Sequence, residues 1–277
     1  MKELPSSFPF VSLDELRRLL RHQHARLIDA RAQGAYSQAH LPGAVNLPAR
    51  DLNQAANGVR ELVAPGRLAE MLKRPGVGAD TTVIYGAKGG SDAAHVWWTL
   101  HGFGHPAVYL LDGGMEAWQR AGLPLSSDQP EPKPPEMPFA PSFDMPRLAT
   151  LRELIERIDD PTLTILDTRA REEYTGELAA AKHGGHIPNA KLFDWAEALD
   201  RNGMLKPDHD LKRALAPVLG APEIITYCQS GVRAAHTYAV LTKLGHPRVR
   251  LYLGSWGEWG NRDDTPIETI DPQEVTP

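Results

Sequence analysis

The chain reads as an α/β protein built from two tandem, doubly wound domains, each a mostly parallel sheet flanked by helices. Three observations predict this. Short apolar, β-branched runs alternate with amphipathic helical stretches along the 277 residues. The second half repeats the first at nearly constant offsets. A proline-dense stretch separates the two halves.

Taken in order, Ser12-Leu13-Asp14-Glu15 sets Ser and Glu three apart ahead of Leu16, Leu19 and Leu20, a capping-box start to a helix. Thr150-Leu151-Arg152-Glu153 repeats it 138 residues later. The same offset maps Leu27-Ile28-Asp29-Ala30-Arg31 onto Ile165-Leu166-Asp167-Thr168-Arg169, and Tyr36 onto Tyr174. The second copy then carries eight extra residues, so that His40-Leu41-Pro42-Gly43-Ala44 matches His186-Ile187-Pro188-Asn189-Ala190. Beyond a loop of different length an offset of 141 maps Val83-Ile84 onto Ile224-Ile225, Ala93-Ala94-His95 onto Ala234-Ala235-His236, and Trp118 onto Trp259. Between the copies, prolines at 130, 132, 134, 135, 138 and 141 exclude helix and central strand. The expected organisation is a first domain over residues 1–123, an extended connector over 124–146 with Phe139 and Phe143 as anchors, and a second domain over 147–277.

Hydrophobic residues make up 42% and charged residues 23%, the balance of a soluble globular protein. The net charge of −5 and the lack of any basic run argue against nucleic acid. No apolar stretch is long enough to span a membrane, and Met1-Lys2-Glu3-Leu4-Pro5-Ser6 lacks an apolar leader core, so no membrane partner is expected. One cysteine cannot form an internal disulfide, and a free thiol suits a reducing compartment, so the expected location is cytoplasmic. The eleven histidines show no Cys/His ligand spacing, and neither Gly113-Gly114 nor Gly254 fits a nucleotide fingerprint; no metal and no cofactor are expected.

The single cysteine marks the chemistry. Ile224-Ile225-Thr226-Tyr227 predicts a strand that stops at Cys228, Gly231 lies in a short loop, and Ala234, Tyr238, Leu241 and Leu244 form one face of a helix ended by Gly245. An isolated cysteine after a strand is usually a small core hydrophobe. Here the loop and first helical turn aim backbone N–H groups at one point, and Arg233 adds a cation at the far end; both favour a reactive thiolate at Cys228. The offset of 141 puts Ala87 opposite Cys228 and Asp92 opposite Arg233, so the first copy has neither nucleophile nor cation in a loop of the same length. Its expected role is structural, as one wall of a cleft.

This duplicated pattern resembles the tandem-domain rhodanese family of sulfurtransferases over essentially the whole chain. The matching pieces are Asp167-Thr168-Arg169 with Glu173-Tyr174, Gly185-His186-Ile187-Pro188-Asn189-Ala190, the loop Cys228-Gln229-Ser230-Gly231-Val232-Arg233, and Gly254-Ser255-Trp256-Gly257-Glu258-Trp259. The resemblance implies a persulfide-forming Cys228, substrate contacts from Gln229, Ser230, Gly231, Val232 and Arg233, and an anion contact from Arg169. Many members carry a second arginine four residues further on, where this chain has Glu173. Many also have Asp where this chain has Leu253, a departure given no functional reading.

The expected reaction moves sulfane sulfur from a small anionic donor, thiosulfate, to cyanide or a small or protein thiol, by ping-pong kinetics. Mercaptopyruvate is the alternative donor: Ser230-Gly231-Val232 matches that group, whereas Arg233 and Gln229 favour thiosulfate on charge complementarity. A phosphatase of this fold uses Cys, five residues, then Arg; only four lie between Cys228 and Arg233. A non-catalytic persulfide carrier is the non-enzyme rival. Asp167 is expected to order Arg169 or a loop N–H, His40 and His186 to be structural, and Trp195 to be a pocket wall or a core residue.

Overall fold

The computed structural model describes residues 9–22, 25–56, 59–73, 75–131, 134–135 and 137–270, the side chains of 53–56 aside; Met1–Ser6, Pro132 and the end of the Ile267–Pro277 segment lie outside them. The chain falls into two compact units. One holds the residues up to Asn53, Leu62–Met145 and Leu199–Leu205; the other holds Gln54–Glu61, Pro146–Ala198 and the chain from Lys206 onward.

Each unit is built on a five-stranded sheet in which the described pairings are all parallel. In the first, Phe10–Val11, Val108–Leu111, Thr82–Tyr85, Arg26–Asp29 and Val45–Asn46 lie side by side in that order. In the second, Leu148–Ala149, Val249–Tyr252, Glu223–Tyr227, Leu163–Asp167 and Lys191–Leu192 take the same order. The central strands Thr82–Tyr85 and Glu223–Tyr227 are buried at every residue, as strands covered on both faces by helices must be. Equivalent side chains then form the two cores: Leu16, Leu27, Leu41, Tyr85 and Trp118 in one, Leu154, Ile165, Ile187, Tyr227 and Trp259 in the other.

The strand register corrects one expectation. Tyr85 lies opposite Asp29, and Tyr227 opposite Asp167. The Tyr85 hydroxyl accepts from Leu41 N–H at 3.1 Å, and the Tyr227 hydroxyl from Ile187 N–H at 3.2 Å. Tyr85 is thus the counterpart of Tyr227, and the strands match at an offset of 142, not 141. The following helices, Ser91–Gly102 and Val232–Lys243, still match at 141, each behind a left-handed glycine, Gly90 and Gly231. The first copy's loop is therefore one residue longer, and Gly86, not Ala87, stands where the second copy has Cys228. Met115 N–H donates to the Gly86 carbonyl and Trp256 N–H to the Cys228 carbonyl, at 3.0 and 2.9 Å.

Ser12 and Glu15 form the full capping box. Thr150 makes only half of one: its hydroxyl accepts from Glu153 N–H, but the Glu153 carboxylate turns to Arg250 and Arg157 instead. Two guanidinium partners outcompete one backbone N–H for a carboxylate. In the connector, Phe143 packs on Trp98 and Phe103 with ring centroids 5.6 and 5.0 Å away, and Phe139 on His105 at 5.1 Å. Gly102 makes room for Phe143, since a Cβ there would lie 2.5 Å from its ring.

Candidate active site

Cys228 directly follows the strand Glu223–Tyr227 and is 1% exposed. Its carbonyl accepts from Trp256 N–H, and its amide donates to Ser255 Oγ at 3.2 Å. Ser255 is a non-glycine residue at φ +53°, a left-handed conformation that costs an L-residue about 1–2 kcal/mol. The strain is held by two bonds: Oγ accepts from Cys228 and donates to the Tyr252 carbonyl at 2.8 Å. On the far side the Ser230 amide donates to Cys228 Sγ at 3.4 Å. Gly231 at φ +81° turns the chain into the helix Val232–Lys243, whose first residues are Val232 and Arg233. The loop thus brings one backbone N–H, that of Ser230, to the sulfur.

Arg233 reaches back toward the sulfur but is gripped by an acid. Its Nη1 and Nη2 donate to the two carboxylate oxygens of Glu173 at 2.5 and 2.8 Å, a bidentate pair. Burial works against the guanidinium charge, yet Glu173 and the Cys228 sulfur outweigh it and raise the Arg233 pKa. Burial likewise opposes the Glu173 carboxylate, and the Arg233 fork with the Ala170 N–H holds its pKa below the usual range. A second acid, Asp194, also senses Arg233; burial raises its pKa, as do Glu173 and Glu172, against the pull of Arg233.

Arg169, the anion contact that the resemblance implies, is held inside the fold. It is 1% exposed, its Nε and Nη2 lie 3.0 and 2.6 Å from Asp167, and Nη2 also donates to the Gly185 carbonyl at 2.7 Å. Its guanidinium stacks over Trp256 at 4.5 Å. Arg31 repeats this with Asp29 and the Ala39 carbonyl in the copy that has no nucleophile. The pair is a brace common to both copies, and Asp167 orders Arg169 as expected. Gln229 Nε2 donates to the Ala180 carbonyl at 3.0 Å and so ties the loop to the extra residues after Tyr174. His40 and His186 stack on Tyr36 and Tyr174 at 4.1 and 3.7 Å, a structural role in each copy. Trp195 meets His236 edge-on at 5.3 Å.

In the first copy Glu116 closes the loop: its carboxylate accepts from Lys88 N–H at 2.9 Å. The equivalent position in the second copy is Gly257, whose own N–H donates to the Gln229 carbonyl at 2.8 Å. Three residues around Cys228 had no role assigned from the sequence. Ser255 was signalled by Gly114 at the matching position of the other copy, at φ +52°. Glu173 was signalled by its charge reversal against the family pattern. Asp194 had no signal beyond its place next to Trp195.

The rhodanese-like domain model matches residues 12–121 and 150–262. The chain is 34% identical over 251 residues to a thiosulfate sulfurtransferase of Azotobacter vinelandii, covering 87% of this chain and 90% of the relative. It is 35% identical to a probable 3-mercaptopyruvate sulfurtransferase of Pseudomonas aeruginosa, covering 85% and 86%, and 34% identical to a sulfur carrier protein of Thermus thermophilus, covering 84% and 86%. Among solved structures, EanB superposes with a TM-score of 0.82 at 22% identity over 97% of this chain and 69% of EanB, a likeness of fold.

Proposed function

The chain belongs to the rhodanese-like family and is a sulfurtransferase, and on that premise we propose that it moves sulfane sulfur from thiosulfate to cyanide or a thiol through a persulfide on Cys228. The observation that carries this is the cradle: the sulfur accepts the Ser230 N–H, with the Arg233 cation beside it. The Cys228 thiolate attacks the outer sulfur of thiosulfate, the S–S bond breaks, and sulfite leaves with the electron pair. Cys228 then carries one extra sulfur as a persulfide anion, held by the loop amides and Arg233. Cyanide or an acceptor thiolate takes that sulfur and returns the thiolate, so donor and acceptor use the one site in turn. A free thiol of this kind suits the cytoplasm.

Mercaptopyruvate is a second reading of the donor, favoured by the Glu173 carboxylate, which offsets the cation that a dianion would seek. Mass spectrometry after incubation with each donor tests the mechanism: one added sulfur is expected on the Cys228 peptide, and none in Cys228→Ser. Transfer by the serine variant at the ordinary rate would overturn it, and kcat/KM for the two donors orders them.

A further inference from the structure

We infer that Glu173 sets the donor selectivity of the Cys228 site, by holding Arg233 in a bidentate pair that cancels most of its net charge and so weakens the site's preference for a doubly charged donor over a singly charged one. The inference rests on the sulfur-transfer reading of Cys228 and adds to it which residue grades donors by charge. Two observations point to it. Arg233 interacts with the Cys228 sulfur, whereas Arg169, the other expected anion contact, is buried on Asp167 and the Gly185 carbonyl. Both terminal nitrogens of Arg233 face the Glu173 oxygens. Glu173 keeps its charge through the fork.

Glu173 acts through Arg233 and is a positioning residue, not one that touches the reacting sulfur. It fixes the guanidinium plane with two parallel bonds and lowers the potential felt by an incoming anion. Thiosulfate carries two negative charges and mercaptopyruvate one, so any potential that Glu173 imposes counts twice for the first. A carboxylate a few ångströms behind Arg233, partly screened by solvent, weakens anion binding about fivefold per unit of donor charge.

The test uses the full chain with thiosulfate and mercaptopyruvate as donors. Glu173→Gln keeps an oxygen for Arg233 and removes the charge. It should raise kcat/KM about twenty-five-fold for thiosulfate and about fivefold for mercaptopyruvate, chiefly through KM, so the donor ratio moves about fivefold toward thiosulfate. A variant that merely loosens the fold lowers both donors alike and leaves the ratio fixed, which would overturn the inference. Should Glu173→Gln not fold, the unsubstituted protein supplies a second measurement: kcat/KM for thiosulfate should depend on ionic strength no more steeply than that for mercaptopyruvate. A markedly steeper fall with thiosulfate would mean an uncancelled Arg233 charge and would also overturn it. Sulfur on the Cys228 peptide is followed in parallel; its absence with both donors would sink the parent reading, whereas its presence with an unmoved donor ratio would sink the role of Glu173 alone.

Discussion

Gly231→Ala tests whether the cradle depends on a turn that only glycine adopts, because the other copy supplies its own control. Both Gly231 and Gly90 precede a twelve-residue helix in the left-handed region, at φ +81° and +68°. A Cβ on Gly90 would meet nothing within 4 Å, whereas one on Gly231 would lie 2.7 Å from Leu253 Cδ1 and 3.1 Å from the Leu253 carbonyl oxygen. Gly90→Ala should therefore cost the backbone strain alone, about 1–2 kcal/mol, lessened by the reduced freedom of the unfolded chain. Gly231→Ala adds an overpacked contact with backbone on one side, for a total of about 2–4 kcal/mol. Urea denaturation measures both, with hydrogen exchange in the helices Ser91–Gly102 and Val232–Lys243 assigning each transition to its unit. The turn also aims the Ser230 N–H at Sγ, so Gly231→Ala should slow persulfide formation about tenfold or more, a loss that Gly90→Ala should not share. Equal stability losses at the two glycines would refute the role given to Leu253, and an unslowed persulfide step would refute the dependence of the cradle on this turn.

Ser255→Gly should leave stability within about 1 kcal/mol, since glycine relieves the φ +53° strain while losing the hydroxyl bonds, yet slow sulfur transfer about tenfold because the Cys228 amide loses its acceptor; full transfer rates in that variant would reduce Ser255 to a space filler. Burial lowers the pKa of both His105 and His236 to about 4, so both are neutral in the folded chain. For His105 the Ala107 N–H donates to Nδ1, which leaves the proton on Nε2. The unfolded chain binds these protons near pH 6.5 and the folded chain near 4, so stability rises with pH across that window and is fully present above it. Lowering pH from 7 to 5 should cost about 2 kcal/mol per ring, read as a shift in urea midpoint that shrinks in His105→Gln; a midpoint flat over that range would contradict the burial of the neutral rings.

Much of this was legible from residue types. The doubled strand-loop-helix, the capping Ser12 with Glu15, and Cys228 at the end of a buried strand follow from local pattern, because period, caps and glycine turns are local physics. The register was not. A run such as Val83-Ile84 slides against Ile224-Ile225 with no change in hydrophobicity, and only the Tyr85–Asp29 and Tyr227–Asp167 pairings fix the true step. The resemblance gave Arg169 to the substrate, while its bonds to Asp167 and Gly185 are visible only once strand and loop are folded together. Glu173 and Arg233 are sixty residues apart, a separation at which sequence offers no rule for pairing.

The extra residue in the first copy's loop makes that loop an exchangeable part. Gly86 and Asp92 enclose five residues and Cys228 and Arg233 enclose four, yet the strand end, the left-handed glycine and the helix that follow are the same in both. Whatever separates a four-residue loop from a five-residue one is confined to the residues between two anchors that do not move with it. Loop length can then drift, by insertion or by design, as a setting independent of the scaffold, and this one polypeptide already displays two of its values.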